Sequence, residues 1–330
     1  MSTECRVPST EYRVPSTEYR VERRKRKGRK GRKGRAKRIK VGLVPLTTRH
    51  SALGTRHSAL GTRHFPMIDI HTHIIPALDD GPTGMDVSVA MGKIAAQEGT
   101  KVLISTSHSA EAGAVGYEGM LKRLDEVRVA WERAGIDIRL ELGVEVFLDY
   151  ETLENLRSGR LWTLAGSRYV LVEVPYTPWP AYAERALFDL QTAGYTPILA
   201  HPERYTAIQD DPNLLYRLVQ RGVLSQVTSA ALLGEQGEKV QRTAEVLVRH
   251  GLAQFLASDG HNVKTKRRMP LLREAVGAAS QLIGEEAALA LVTTNPAALL
   301  ENRTVEAAPE PVEVRKSFLG GLFGGGKREG

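Results

Sequence analysis

The sequence of 330 residues predicts an α/β fold, a barrel of β-then-α units rather than an open sheet. Three observations predict it. Seven short apolar runs follow one another from Met67 onward. An amphipathic stretch of helical spacing follows six of the seven. Most histidines beyond the first 66 residues stand at the C-terminal ends of those runs, where a parallel barrel gathers its functional groups.

The predicted strands are residues 67–70, 101–106, 138–143, 169–174, 197–200, 224–227 and 253–257. Runs such as Val-Leu-Ile-Ser and Tyr-Val-Leu-Val-Glu-Val are apolar without alternation, as in parallel strands covered on both faces. Helices are predicted near residues 85–98, 118–134, 181–192, 213–221, 239–250, 271–283 and 285–300. Spacing alone does not establish that the sheet closes.

Composition narrows the classes. The chain is 42% hydrophobic and 25% charged, ordinary for a soluble domain with a sizeable core. One cysteine, Cys5, excludes a disulfide scaffold and a multi-thiolate zinc site. No apolar run approaches the ~18 residues of a membrane span, and no secretory signal is legible. The net charge of +8 divides unevenly: residues 1–66 carry 19 Lys/Arg against 4 Glu, and the remainder carries 27 against 34 Asp/Glu. The basic character therefore belongs to the first fifth of the chain, and the rest has no general nucleic-acid surface.

That first fifth is repetitive. Val-Pro-Ser-Thr-Glu-Tyr-Arg recurs through residues 2–21, and Thr-Arg-His-Ser-Ala-Leu-Gly through residues 48–64. Each heptapeptide decodes as a heptanucleotide read three times, GTACCGA and ACTCGGC, so a short DNA repeat accounts for both. Residues 20–40 hold 14 Lys/Arg in 21 positions. A nucleic-acid or anionic-membrane tail is one reading of that run, and continued repeat translation is the favoured one. The expected organisation is a disordered extension or upstream translated repeat over 1–66, one catalytic domain over 67–302, and a flexible Gly-rich tail over 303–330.

Six histidines lie outside the repeats: His71, His73, His108, His201, His250 and His261. In Ile-His-Thr-His, His71 and His73 point the same way on an extended segment and can grip one ion. Asp79-Asp80-Gly81 follows on a loop. His108 ends the second strand, Glu145 the third, His201 the fifth, and Asp259 and His261 the last. Glu173 interrupts an apolar strand, which is costly for a carboxylate unless it is paired or bound to a cation. His250, at a polar helix end, reads as a surface residue or C-terminal cap. A lone His-x-His or Asp-x-His is weak evidence. Jointly, His71, His73, Asp80, His108, Glu145, Glu173, His201, Asp259 and His261 suit a cluster of two or three divalent ions of hydrolytic type.

The segments at Met67–Pro82 (MIDIHTHIIPALDDGP), Ser105–His108 (STSH), Ala200–Arg204 (AHPER) and Ser258–Asn262 (SDGHN) resemble the PHP (polymerase and histidinol phosphatase) superfamily. Within it they are similar to the manganese-dependent tyrosine-protein phosphatases of bacterial capsule and exopolysaccharide loci, over residues 67–302. The resemblance implies a distorted (β/α)7 barrel with a three-ion site. It implies His71, His73, Glu145 and Asp259 around the first ion, with Glu145 bridging to a second held by Glu173 and His201. Asp80, His108 and His261 would hold the third. Mn2+ is the implied metal, with Fe, Mg or Zn as alternatives. Arg204 is implied as a phosphate ligand, with a second arginine in the loop after His261. That loop reads Lys-Thr-Lys-Arg-Arg-Met, so Arg268 is the candidate and Arg267 its rival. Asp80 is a candidate proton donor to the leaving group.

The implied substrate is the phosphotyrosine tail of a bacterial tyrosine autokinase in the cytoplasm, with the oligomeric state left open. The alternative is a PHP phosphatase of a small metabolite such as histidinol phosphate. A nucleic-acid binder led by residues 20–40, and a metal scaffold without turnover, are the readings from other classes. A thiol-based phosphatase is excluded beyond residue 66, because the single cysteine lies in the repeat.

Overall fold

The computed structural model describes residues 66–313. The repeats, the basic run and the tail from residue 314 on lie outside the described residues.

Eight strand segments form two all-parallel sheets. The first is β1 (Met67–Thr72), β2 (Thr100–Ser105) and β3 (Arg139–Leu142), in that order. The second is β4 (Glu145–Phe147), β5 (Tyr169–Glu173), β6 (Thr196–Ala200), β7 (Leu224–Thr228) and β8 (Phe255–Ala257). Parallel bridges join the sheets at both seams, His108 to Glu145 and Thr72 to Gly260. Two backbone bonds reinforce the second seam, His73 N to Gly260 O (2.8 Å) and Asp259 N to His71 O (2.9 Å). The sheet is therefore closed.

The expected strand 138–143 is β3, and past a break at Gly143-Val144 the chain forms a further strand that was not expected, β4, which belongs to the other sheet and continues the same place in the round. Crowding explains the break. A Cβ on Gly143 would lie 2.7 Å from Leu164 and 2.8 Å from Ile104, so only glycine lets the backbone pass there.

Two apolar layers hold the barrel. Ile68, Ile70, Ile104, Tyr169, Leu171, Ile198, Ala200, Leu224, Phe255 and Ala257 share one buried cluster. Their period-two spacing within β1, β5, β6 and β8 marks them as one face of each strand. The other cluster combines Leu103, Val170, Val172, Leu199, Val227 and Leu256 with helix residues such as Leu124, Trp131, Leu187 and Leu247.

The helices at Met85–Glu98, Tyr117–Arg133, Ala183–Thr192, Asn213–Gln220, Glu238–Arg249 and Arg273–Ile283 fall where apolar periodicity predicts them. Four short ones, Ser109–Val115, Thr152–Arg157, Thr206–Asp210 and Ser229–Leu232, were not foreseen, since a turn or two carries too little periodicity to read. The predicted helix 285–300 divides into Glu285–Ala290 and Thr294–Leu300. Between them the Val292 carbonyl accepts from Ile68 N (2.8 Å), tying the connection to β1.

The tail expected to be flexible from residue 303 is fixed over its described part. Val305 is buried and its N–H donates to the Tyr169 hydroxyl (3.1 Å). Glu310 N donates to His250 O (2.8 Å). Val312 exchanges two 2.9 Å backbone bonds with the Asn213 side chain. Alternate apolar residues gain burial here that their Pro- and Glu-rich surroundings conceal.

Candidate metal centre and active site

All nine predicted ligands converge at the C-terminal ends of the strands. Backbone devices aim several of them. Between Asp69 and Thr72, β1 advances three residues while β2 advances two, from Leu103 to Ser105. This bulge shifts the alternation that continues from Ile68 and Ile70 and turns the His71 and His73 side chains to the site. His201 and Asp259 adopt left-handed backbone, φ 36° and 51°. For non-glycine residues that conformation costs on the order of 1–2 kcal/mol each, and such strain collects where side-chain aim matters.

The donor atoms form three interlocked groups. In the first, Nε2 of His71 and Nε2 of His73 stand 3.4 Å apart, each 3.3 Å from Glu145 Oε2. Asp259 Oδ1 lies 3.4 Å from the former and 3.8 Å from the latter. In the second, His108 Nδ1 meets Glu145 Oε2 (3.1 Å) and Glu173 Oε1 (3.3 Å). His201 Nε2 reaches Glu145 Oε1 (2.9 Å) and Glu173 Oε2 (3.7 Å). In the third, Asp80 Oδ1 lies 3.4 Å from His108 Nε2 and 3.1 Å from His261 Nε2, with His73 alongside. The resemblance divided the residues differently in two respects: His73 also joins the third group, and His108 also joins Glu145 and Glu173.

The electrostatics show what this donor set needs. Burial opposes protonation of His73, yet hydrogen bonds to Asp79 and Glu145 prevail and push it up to about 10. Burial likewise opposes ionisation of Glu145, but His71, His108 and His201 hold it well below the usual carboxylate range. His108 and His261, with Arg268, hold the Asp80 carboxyl far below that range. His261 moves the other way, its basicity lowered by burial and by neighbouring His73. The carboxylates thus demand positive charge that the imidazoles can supply only by binding protons. His201 Nδ1 is buried with no hydrogen-bond partner. Mixed imidazole and carboxylate donors within 4.8 Å of one another fit hard or borderline divalent cations.

Residues not singled out from sequence complete the site. Asp79 Oδ2 takes His73 Nδ1 at 2.8 Å, and Gln226 Oε1 pairs with His71 Nδ1 at 2.8 Å, fixing both rings as carboxylate and amide partners do around metal sites. Asp79 stands beside Asp80 in the motif. Gln226 is a polar residue inside a buried strand, the same signal that marked Glu173.

Arg204 is nearly buried. Its Nη2 donates to Asp259 Oδ2 and Thr228 Oγ1 (3.3 Å), its Nε to Gln236 Oε1 (2.9 Å), and Nη1 faces the Tyr176 hydroxyl at 3.5 Å. Arg268 Nη2 donates to Asp80 Oδ2 at 2.6 Å. Arg267 also lines the cavity, so both loop arginines reach it. The cavity measures about 80 Å3. His250 stays away, capping the helix Glu238–Arg249.

Residues 67–301 match the family model described as "Capsular polysaccharide synthesis, CpsB/CapC". The chain belongs to the CpsB/CapC family. It is 36% identical over 255 residues to the tyrosine-protein phosphatase YwqE of Bacillus subtilis, covering 76% of this chain and 99% of YwqE. Against the tyrosine-protein phosphatase CpsB of Streptococcus agalactiae it is 27% identical over 246 residues, 72% of this chain and 100% of CpsB. A solved structure from work on YwqE and Streptococcus pneumoniae CpsB, described as metal-dependent tyrosine phosphatases, superposes with a TM-score of 0.71 at 35% identity, over 75% of this chain and 100% of that one. An amidohydrolase of Mycoplasma synoviae, 12% identical with a TM-score of 0.51, shares the fold alone. No helix among the described residues is long and apolar enough to cross a membrane.

Proposed function

We propose that this chain is a metal-dependent phosphomonoesterase that hydrolyses phosphotyrosine in protein, in the cytoplasm, with a bacterial tyrosine autokinase of capsule or exopolysaccharide synthesis as its substrate. The observation that carries the reading is the nine-residue imidazole–carboxylate cluster beside the Arg204 guanidinium in so small a cavity. Pockets that enclose a small-molecule ligand run from ~300 Å3 upward. A cavity of about 80 Å3 accepts a phosphoryl group and leaves the rest of the substrate outside. That favours a phosphate presented on a protein over histidinol phosphate. The relatives' names as tyrosine-protein phosphatases support the same choice.

His71, His73, Glu145 and Asp259 would hold one ion, Glu145, Glu173 and His201 a second, and Asp80, His108 and His261 a third, with Mn2+ the proposed metal. Divalent ions bound there lower the pKa of water to give a nucleophile near neutral pH and neutralise phosphoryl charge. The protein's own groups do the remainder. Arg204 and Arg268 bind the phosphoryl oxygens and stabilise charge that grows in the transition state. Asp79 and Gln226 keep the His73 and His71 rings oriented. Asp80, held as an anion by His108, His261 and Arg268, acts as a ligand rather than as an acid. A phenolate with a pKa of about 10 leaves without strong acid assistance.

The test is turnover of a phosphotyrosine peptide and of histidinol phosphate, each with added Mn2+ and with chelator. Mn2+-dependent hydrolysis that prefers the peptide is the expected result. Preference for histidinol phosphate would replace this reading with the metabolite phosphatase.

A further inference from the structure

Six large hydrophobic side chains are exposed among the described residues, and three of them, Phe147, Tyr150 and Tyr176, stand in the segments at the ends of β4 and β5, at the mouth. Tyr176 belongs to the Arg204 hydrogen-bond set. Phe147 and Tyr150, 45% and 80% exposed, serve nothing in the metal centre.

Beside them runs a groove of about 410 Å3, between the helix Ser109–Val115 and the segment from Phe147 to the helix Thr152–Arg157. Its lining adjoins that of the catalytic cavity along the chain at two places. His108 lines the cavity and the next residue, Ser109, lines the groove. Glu145 lines the cavity and Phe147, two residues on, lines the groove. Phe147 N donates to Ser109 Oγ (3.0 Å), joining the two walls where groove meets cavity. Tyr150, between the groove residues Asp149 and Glu151, has its ring tilted against Tyr182, centroids 4.8 Å apart. The Tyr182 hydroxyl in turn donates to Leu148 O (2.9 Å), so the aromatic ledge has a fixed support. Asp149 and Glu151 against Arg160 leave the groove with one net negative charge, which suits a flanking chain that is not itself strongly acidic.

The small cavity leaves the tyrosine ring and its flanking chain outside, and this groove is lined by the residues next along the chain from His108 and Glu145. We propose that the groove holds the polypeptide flanking the phosphotyrosine, and that Phe147 and Tyr150 bind an aromatic or aliphatic side chain within about three residues of it, roughly 10 Å of extended chain. This rests on the phosphotyrosine-hydrolase reading above. It makes the two aromatics determinants of peptide choice, outside the chemistry.

The experiment compares the full chain, supplied with Mn2+, with its Phe147→Ala/Tyr150→Ala double variant on three substrates. These are para-nitrophenyl phosphate, a phosphotyrosine peptide with Leu and Tyr near the phosphotyrosine, and the same peptide with Ser at those places. The double variant is expected to raise KM for the first peptide roughly tenfold with kcat retained, and to abolish its advantage over the Ser peptide. Turnover of para-nitrophenyl phosphate should not change. Unchanged peptide KM alongside normal para-nitrophenyl phosphate hydrolysis overturns the groove and leaves the phosphatase reading standing. Loss of para-nitrophenyl phosphate turnover in the variant also overturns it, by placing the residues in the site's integrity. An unmodified chain that hydrolyses none of the three overturns both.

Discussion

Replacing Arg204 by alanine separates its two partners, the proposed phosphate and Asp259. The guanidinium donates to Asp259, whose side chain is 7% exposed and whose backbone is held at φ 51°. Removing one partner of such a pair leaves a buried charge and costs about 3–5 kcal/mol. At roughly 2–4 °C per kcal/mol for a domain of this size, the metal-free variant should melt roughly 6–20 °C below the unmodified protein. A divalent ion held by Asp259 would supply the missing positive charge, so most of that deficit should vanish when Mn2+ is added. Activity should nonetheless fall on the order of 100-fold or more, as for other transition-state donors, while bound metal stays near its normal amount. His201→Ala and Asp259→Ala should instead lose metal and activity together. Melting curves with chelator and with Mn2+, metal content by mass spectrometry and steady-state kinetics decide the matter. An equal melting deficit with and without Mn2+, or loss of metal from the Arg204 variant, would refute the reasoning.

Four further outcomes are expected. Chelation should abolish hydrolysis and Mn2+ restore it, while iodoacetamide has no effect, since Cys5 is the only thiol; inactivation by the alkylator would contradict the mechanism. Asp79→Asn should raise the Mn2+ concentration needed for half-activity roughly 10–100-fold, because the acceptor that orients His73 loses its charge; an unchanged Mn2+ titration would show that His73 needs no such support. Gly92→Ala should destabilise by roughly 1–3 kcal/mol although alanine is the better helix former, because the new Cβ would lie 2.6 Å from the buried Trp131 ring; a melting temperature equal to or above the original would show that the helices separate freely. A chain beginning at Met67 should melt and turn over like the full chain, since every proposed ligand lies downstream and β1 starts there; a truncated chain that fails to fold would assign residues 1–66 a structural part.

Much of the site was legible before any coordinates. Glu173 stands out by itself because a carboxylate inside an apolar strand is expensive unless it is paired or bound to a cation, whereas His71, His73, Glu145 and Asp259 are legible jointly, each standing at the end of an apolar strand. The strand order also follows from chain order, because parallel strands joined by helices leave few alternatives. Asp79 and Gln226 were harder to find. Their parts depend on what stands opposite them in space, and Gln226 meets a ring 155 residues away.

What the sequence by itself determined is the set of candidate ligands, the alternation of strand and helix, and the absence of any thiol beyond residue 66. These rest on residue type and short-range period. Tertiary structure alone decided the closure at Thr72 and Gly260, the break at Gly143, the sharing of His73 and His108 between ligand groups, and the fixing of residues 303–313. It also decided the cavity's size, on which the choice between a protein and a metabolite substrate turns. Each of these depends on distances between segments far apart in the chain, which packing sets and no local pattern encodes.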